Sequence, residues 1–289
     1  MNENACEFER LNRLETSSLA ALRQAVSHCA RPAMLFSAGK DSCVMLHLAR
    51  KAFAPNIPTF PLLHVDTTWE FPETHPFRDR MAESAGMALI VQVNRDGARR
   101  RVGPFTHGAK EHTRLMKSAA LTEALDTYGF DAVMDGARGD EKRLRGRSGV
   151  GTAGSQTPTE LQARGNPAPE RFFPLADWTE MDVWRYIERE GIEIPDLYFA
   201  APRWVVERNG MLIVRVDERM PLEQGEEPQL RSVRFRSLGC WPLTGAVESR
   251  ANDIPAIVRE LRQAGTLERQ GRAEDLGKGS AGNAQGDYF

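Results

Sequence analysis

Ser37, Gly39, Lys40, Asp41 and Ser42 stand within six residues, in Ala33-Met-Leu-Phe-Ser37-Ala-Gly-Lys-Asp-Ser42, and together can hold a phosphate group. Gly39 lets the backbone approach an anion closely. Ser37 and Ser42 add hydroxyl donors, and Lys40 adds positive charge. The elements that must position them are legible on either side. Ala33 to Phe36 is a short apolar run that reads as a buried strand. From about Ser42 onward, Val44, Met45, Leu48 and Ala49 share one helical face. Strand, small-residue loop and helix N-terminus make an anion site, because the first N–H groups of the helix lack intrahelical partners and its dipole favours negative charge. An ordinary turn capped by Asp41 or Ser42 is the simpler alternative. Ser-x-Gly-Lys-Asp-Ser is expected by chance in ~1 of a few thousand chains of this length, which favours the phosphate site. The loop is not G-x-x-x-x-G-K-[ST].

Two more strands bring polar residues toward it. Pro61-Leu-Leu-His-Val-Asp66 reads as a strand, and ligands of an open parallel sheet sit beyond the strands' C-terminal ends, so His64, Val65 and Asp66 are expected near the loop. Asp131-Ala-Val-Met-Asp135 is followed by a basic stretch with Arg138, Lys142, Arg143, Arg145 and Arg147. At a strand's C-terminal end it can close over an anion, with Asp140 or Glu141 balancing charge or holding a metal. Arg99 to Arg101 read as a solvated charge run in an irregular segment, 94–111. His107, Lys110 and His112 precede the next helix and could face a ligand, although residues of these types near a helix start are more often simple surface residues. Cys6, Cys29, Cys43 and Cys240 show no C-x-x-C spacing and predict neither a zinc site nor a disulfide framework.

With 289 residues, 41% hydrophobic and 27% charged, the chain fits a globular protein with one large α/β domain and an extension. A net charge of −2 gives no bulk support for nucleic-acid binding. No apolar run reaches membrane-spanning length, and a cytoplasmic protein is expected. Helices are expected over 7–29 (Phe8, Leu11, Leu14, Leu22 and Val26 on one stripe), 42–53, 73–86 and 113–128, with a further strand over 88–93. Gly146 to Pro169 reads as a mobile loop. Thr179 is expected to cap a helix, with Asp182 at its third position, ending near Gly191. After Pro195 the βα alternation stops. Met211–Val216 reads as a strand, and Arg231 to Pro242 as a strand with one basic face. Ile254 to Gln263 reads as a helix and the tail from about 273 as mobile. Tyr198, Phe199, Trp204 and Trp241 supply packing area. Domains are therefore expected at 1–195 and 196–289.

The phosphate loop resembles that of the ATP pyrophosphatases, with Ala38 where a glycine is usual. Beyond the loop, the chain resembles the small subunit of bacterial sulfate adenylyltransferases. The resemblance lies in Ser37–Phe53, Phe60–Thr67, Tyr128–Asp131 with Gly136–Arg138, Asp177–Glu180, Val233–Arg236, Leu238–Ser249, Glu268–Arg272 and the final Tyr288-Phe289. It implies a Rossmann-like parallel sheet of the adenine nucleotide alpha hydrolase (PP-loop) type with a C-terminal extension. It further implies transfer of AMP from ATP to sulfate, and a separate GTPase large subunit as partner. Ser37, Gly39, Lys40, Asp41, Ser42, His64, Val65 and Asp66 would bind the nucleotide. Lys40, Asp41 and Arg138 would be catalytic, Arg138 and Arg236 would face the acceptor anion, and Asp41 with Asp66 would hold Mg²⁺. The family usually has arginine at Gly139, glycine at Thr68, and an arginine-rich segment where 146–169 lies. Weak sulfate binding, or a bulkier acid as acceptor, is the expectation from Gly139. Related sulfonucleotide reductases use a Glu-Cys-Gly-x-His cysteine, and Cys240 has no acid or histidine beside it in sequence. Adenylation of a different acid, or nucleotide binding without turnover, would fit the same loop.

Overall fold

The computed structural model describes residues 3–139 and 168–264. Asp140, Glu141, Lys142, Arg143, Arg145, Arg147, nearly all of the 146–169 loop and the stretch from 265 to the end lie outside the described residues. Among the described residues no helix is long and apolar enough to cross a membrane.

The chain forms two compact units. The first is built from residues up to Val65, from Pro76–Gln92 and from Leu121–Ile194; the second from Asp66–His75, Val93–Ala120 and the chain from Pro195. The sequence places a boundary near 195. The structure adds that two earlier segments join the C-terminal unit: Trp69 and Phe71 of the first belong to its apolar core, and Phe105 and Ala109 of the second pack against it.

In the first unit, α1 (Glu3–His28) precedes β1 (Pro32–Leu35), α2 (Lys40–Phe53) and β2 (Leu62–Val65). Then come α3 (Thr74–Ala85), which starts in the second unit's segment, and β3 (Leu89–Gln92). The five strands are parallel in the order β3-β2-β1-β4-β5, with β4 (Ala132–Met134) and β5 (Glu170–Phe172) completing the sheet. Met34 of β1 pairs with Leu62 on one side and Met134 on the other. Strand order reverses between β1 and β4, so the crevice beyond their C-terminal ends is where such a sheet binds ligands. Ala33, Leu63, Val133, Ala124 and Leu125 form the core beneath. α1 presents Leu11, Leu14 and Leu22 inward as its periodicity predicts, but Phe8 is exposed and lies under the Arg189 guanidinium.

The sequence signal for the helix after Thr179 is met in detail. In α7 (Glu180–Glu190), Thr179 Oγ1 accepts from the Asp182 N–H, Asp182 Oδ2 accepts from the Thr179 N–H at 2.8 Å, and Gly191 ends the helix at φ 61°. Asp182 also takes a two-pronged bond from Arg10, at 2.7 Å through both nitrogens. Burial pushes the Asp182 carboxyl up, but its bonds from Arg10 and Thr179 outweigh this and hold it below the ordinary range. Its stabilising contribution is therefore present at neutral pH and is lost as pH falls through that lowered value. Thr179→Ala should cost about 1 kcal/mol in urea unfolding at pH 7, the usual size for a lost cap.

The second unit departs more from its sequence. The segment 94–111 is not irregular: it holds α4 (Arg95–Arg99), capped by Asn94 accepting from the Gly97 N–H, and α5 (Pro104–His112), which breaks at Gly108 where φ is 77°. Residues Thr113–Ala119 continue as a π-helix into α6 (Ala120–Tyr128). An antiparallel sheet follows, in the order β7-β6-β8-β9: β6 (Ala201–Arg208), β7 (Met211–Val214), β8 (Gln229–Arg234) and β9 (Val247–Glu248), before α8 (Ile254–Ala264). β8 does not carry one basic face. Arg231 bridges Glu207 and Glu248, whereas Arg234 is buried on Glu260. Trp241 and Tyr198 are buried, yet Trp204 stands exposed opposite Leu230.

Thr68 is a β-branched residue at φ 64°, on the exposed turn whose Asp66 carboxylate accepts from the Thr68 N–H at 2.7 Å. The left-handed region costs such a residue about 1–2 kcal/mol. Thr68→Gly should therefore raise stability by about 1 kcal/mol, read as a higher denaturation midpoint at unchanged slope.

Candidate active site

β1 ends at Leu35, and the loop 36–39 turns the chain into α2. Ala38 makes that turn at φ 57°, a left-handed conformation that glycine would take freely. Gly39 is the N-cap, extended at φ −83° and ψ 167°, with no side chain to cap the helix. The helix starts at Lys40, two residues earlier than its apolar face suggests, so Lys40, Asp41 and Ser42 form its first turn. The Ser42 hydroxyl donates to the Gly39 carbonyl at 2.8 Å, and Ser37 Oγ lies 3.4 Å from Ser42 Oγ.

Asp41 is the hub of the charged groups. Lys40 Nζ lies 3.1 Å from its Oδ2, and Arg138 pairs with Oδ1. Lys40 is fully buried and Arg138 is 1% exposed. Burial pushes the Asp41 carboxyl up, but the Lys40 and Arg138 cations outweigh it and hold the group below the usual carboxylate range. Arg138 reaches this point because β4 ends beside β1. Its following glycine, Gly136, brings the chain against α2: a Cβ there would lie 3.7 Å from the Asp41 carbonyl oxygen.

His64, at the end of β2, is buried, and its Nδ1 donates to the Phe36 carbonyl at 2.8 Å. It ties the second strand to the residue just before the phosphate loop, which its sequence position alone does not reveal. Val65 closes the same strand and is half-buried. The structure thus brings together Ser37, Gly39, Lys40, Asp41, Ser42 and Arg138, with His64 behind them.

Asp66 and Arg236 belong to the second unit. Asp66 gathers with Glu70 and His75, their ligand atoms within 4.8 Å of one another. Those two partners escape a sequence reading because they lie four and nine residues on, across a turn. Arg236 is buried just beyond β8. Gly139, where the resemblance implies arginine, donates its backbone N–H to the Ala176 carbonyl at 2.9 Å.

A parallel sheet whose phosphate-type loop sits at the strand-order reversal, with two buried cations on one carboxylate, defines a nucleotide-handling α/β protein. Residues 31–246 match the family model of the phosphoadenosine phosphosulfate reductase domain. Sulfate adenylyltransferase subunit 2 of Rhodopseudomonas palustris is 52% identical, over 92% of this chain and 85% of that protein. Its counterpart in Methylococcus capsulatus is 49% identical over 94% of both. The chain belongs to the sulfate adenylyltransferase subunit 2 family. A solved structure of Candida glabrata FMN adenylyltransferase, in complex with FMN and an ATP analog, shares the fold at a TM-score of 0.50 and 13% identity, over 94% of this chain and 90% of that one.

Proposed function

We propose that this chain transfers AMP from ATP to sulfate, giving adenosine 5′-phosphosulfate and pyrophosphate. The relationship to subunit 2 proteins at 52% identity over 92% of the chain carries the reading. The geometry supports it in kind. Sulfate is already a dianion at neutral pH, so attack on the α-phosphate needs no general base. What the reaction needs is alignment of two anions and stabilisation of charge on the departing pyrophosphate. The first-turn N–H groups of α2, the Ser37 and Ser42 hydroxyls and Lys40 face that charge. Arg138 serves the acceptor or the α-phosphate. Asp41 holds both cations in place before the phosphates arrive, and those cations then turn toward the nucleotide.

Mg²⁺ is the proposed companion of ATP, and when bound it neutralises phosphate charge. Asp41, one of the two residues expected to hold it, carries one cation on each oxygen, and each oxygen keeps a second lone pair that a metal can use. The Asp66, Glu70 and His75 donors are of a kind that suits a divalent ion.

The relatives are named as a subunit 2, so we propose a complex with a second subunit, and that this partner is a GTPase large subunit in the cytoplasm. Forming a sulfuric–phosphoric anhydride is uphill, and the chain contains no G-x-x-x-x-G-K-[ST] sequence of its own. The test is pyrophosphate release from the chain purified with and without such a GTPase, across a set of added anions. Release should require sulfate and rise with GTP. Full activity on ATP alone would remove the GTPase, and release driven by another acid but not sulfate would replace the acceptor.

A further inference from the structure

The four cysteines sit in different surroundings. Cys43 is buried in α2, where burial and the Asp41 and Glu193 charges push its thiol up. Cys29 donates to Glu170 at 3.7 Å, and burial together with the Asp131 and Glu170 carboxylates pushes it up as well. Cys6 is exposed on α1. Cys240 differs from all three. Its sulfur lies 3.4 Å from Nε2 of His112 and 3.2 Å from the Thr67 hydroxyl. Its side chain is only partly buried, so one side remains reachable.

His112 is not the surface residue its sequence suggests. It is fully buried at the end of α5, edge-on to Trp69 with ring centroids 6.3 Å apart. A histidine absent from the sequence neighbourhood of Cys240 is thus delivered by an element 128 residues upstream. An imidazole takes the thiol proton at Nε2 and the resulting imidazolium donates back to sulfur, while the threonine hydroxyl donates a second bond. Both favour the thiolate over the thiol, and the thiolate is the nucleophile.

We propose that Cys240, paired with His112, is a selectively reactive thiol and a site of reversible covalent modification by low-molecular-weight disulfides. The Cys240 thiolate attacks one sulfur of a disulfide RS–SR. A Cys240 S–SR bond forms, the RS–SR bond breaks, and RS⁻ leaves to be protonated from solvent. Excess thiol runs the exchange backward. No net oxidation beyond the incoming disulfide is required. The proposal is independent of the adenylyl-transfer reading.

The experiment uses the full chain at pH 7 with two probes, iodoacetamide and oxidised glutathione, and locates adducts by peptide mass spectrometry. Cys240 should alkylate about tenfold faster than Cys6, because the thiolate and not the thiol is the form that is alkylated. The glutathione mixed disulfide should accumulate at Cys240. His112→Gln should bring the Cys240 rate down to that of Cys6. Because His112 is buried and its variant can fail to fold, a second measurement stands by itself: the 240 nm thiolate absorbance of the native chain minus that of Cys240→Ser. A thiolate band at pH 7 supports the pair. Its absence, or Cys240 reacting no faster than Cys6, overturns the proposal.

Discussion

Lys40→Met should lower turnover by roughly 10²-fold or more while leaving the melting temperature close to that of the unaltered chain. The rate figure is the scale for losing one preorganised donor aimed at charge that develops in the transition state. The proposed mechanism makes Lys40 such a donor: it lies in the first turn of α2, has no exposure to solvent, and is held 3.1 Å from Asp41. The structure buries it, so truncation to alanine also removes packed methylenes, and methionine is the cleaner variant. Methionine keeps the stem and deletes the buried charge, whose removal from a low-dielectric site offsets part of the lost pairing. Arg138 still pairs with Asp41. Sulfate-dependent pyrophosphate release and a thermal melt on one preparation check both halves. A fall in kcat with little change in KM for ATP places the loss in the transition state. Turnover equal to the unaltered chain would take Lys40 out of the mechanism.

The parts of this protein that sequence makes legible are those specified by neighbours in the chain. β1, α2, β2, α3 and α7 follow from short apolar runs, helical periodicity and a threonine-aspartate cap, all local signals. The phosphate loop is legible for the same reason: its residue types occupy six consecutive positions. What escapes is whatever depends on where distant segments meet. The service of Asp41 to two cations requires Arg138, 97 residues away. The second unit is the extreme case. Its core takes Trp69 and Phe71 from one segment and Phe235 and Trp241 from another. Trp69 and Trp241 pack tilted with centroids 5.6 Å apart, and Phe71 and Phe235 likewise at 4.6 Å. Neither half carries a periodic pattern that announces the other. α4 and α5 are missed because they are short, and their polar surface reads as loop. The exposed Trp204 is misjudged because size alone says nothing about which face of β6 it occupies.

Asp41→Asn should destabilise the fold by about 3 kcal/mol, and pyrophosphate should restore most of it. Breaking a buried ion pair by deleting one partner costs about 3–5 kcal/mol, because the remaining charge is left in a poor solvent. Here one carboxylate serves two cations, 0% and 1% exposed, but is itself 23% exposed, which places the cost at the low end. Asparagine preserves shape, loses the charge and puts a donor NH2 where one of the two accepting oxygens stood. The sign of the pH dependence follows from the lowered Asp41 carboxyl. Its contribution is fully present above the unfolded value of about 3.9 and is lost as pH falls through the folded one, so the gap between the two proteins should close on acidification. A bound phosphate group supplies the anion that the variant lacks. At a concentration 100 times its dissociation constant, a ligand selective for the folded state returns about 2.7 kcal/mol, comparable to the loss. In the unaltered chain Asp41 competes with that ligand for the same two cations. Pyrophosphate should therefore raise the melting temperature of the variant more than that of the unaltered chain. An equal rise in both, or a variant as stable as its parent without ligand, would show that Lys40 and Arg138 do not depend on Asp41, and that the carboxylate does not stand in for phosphate.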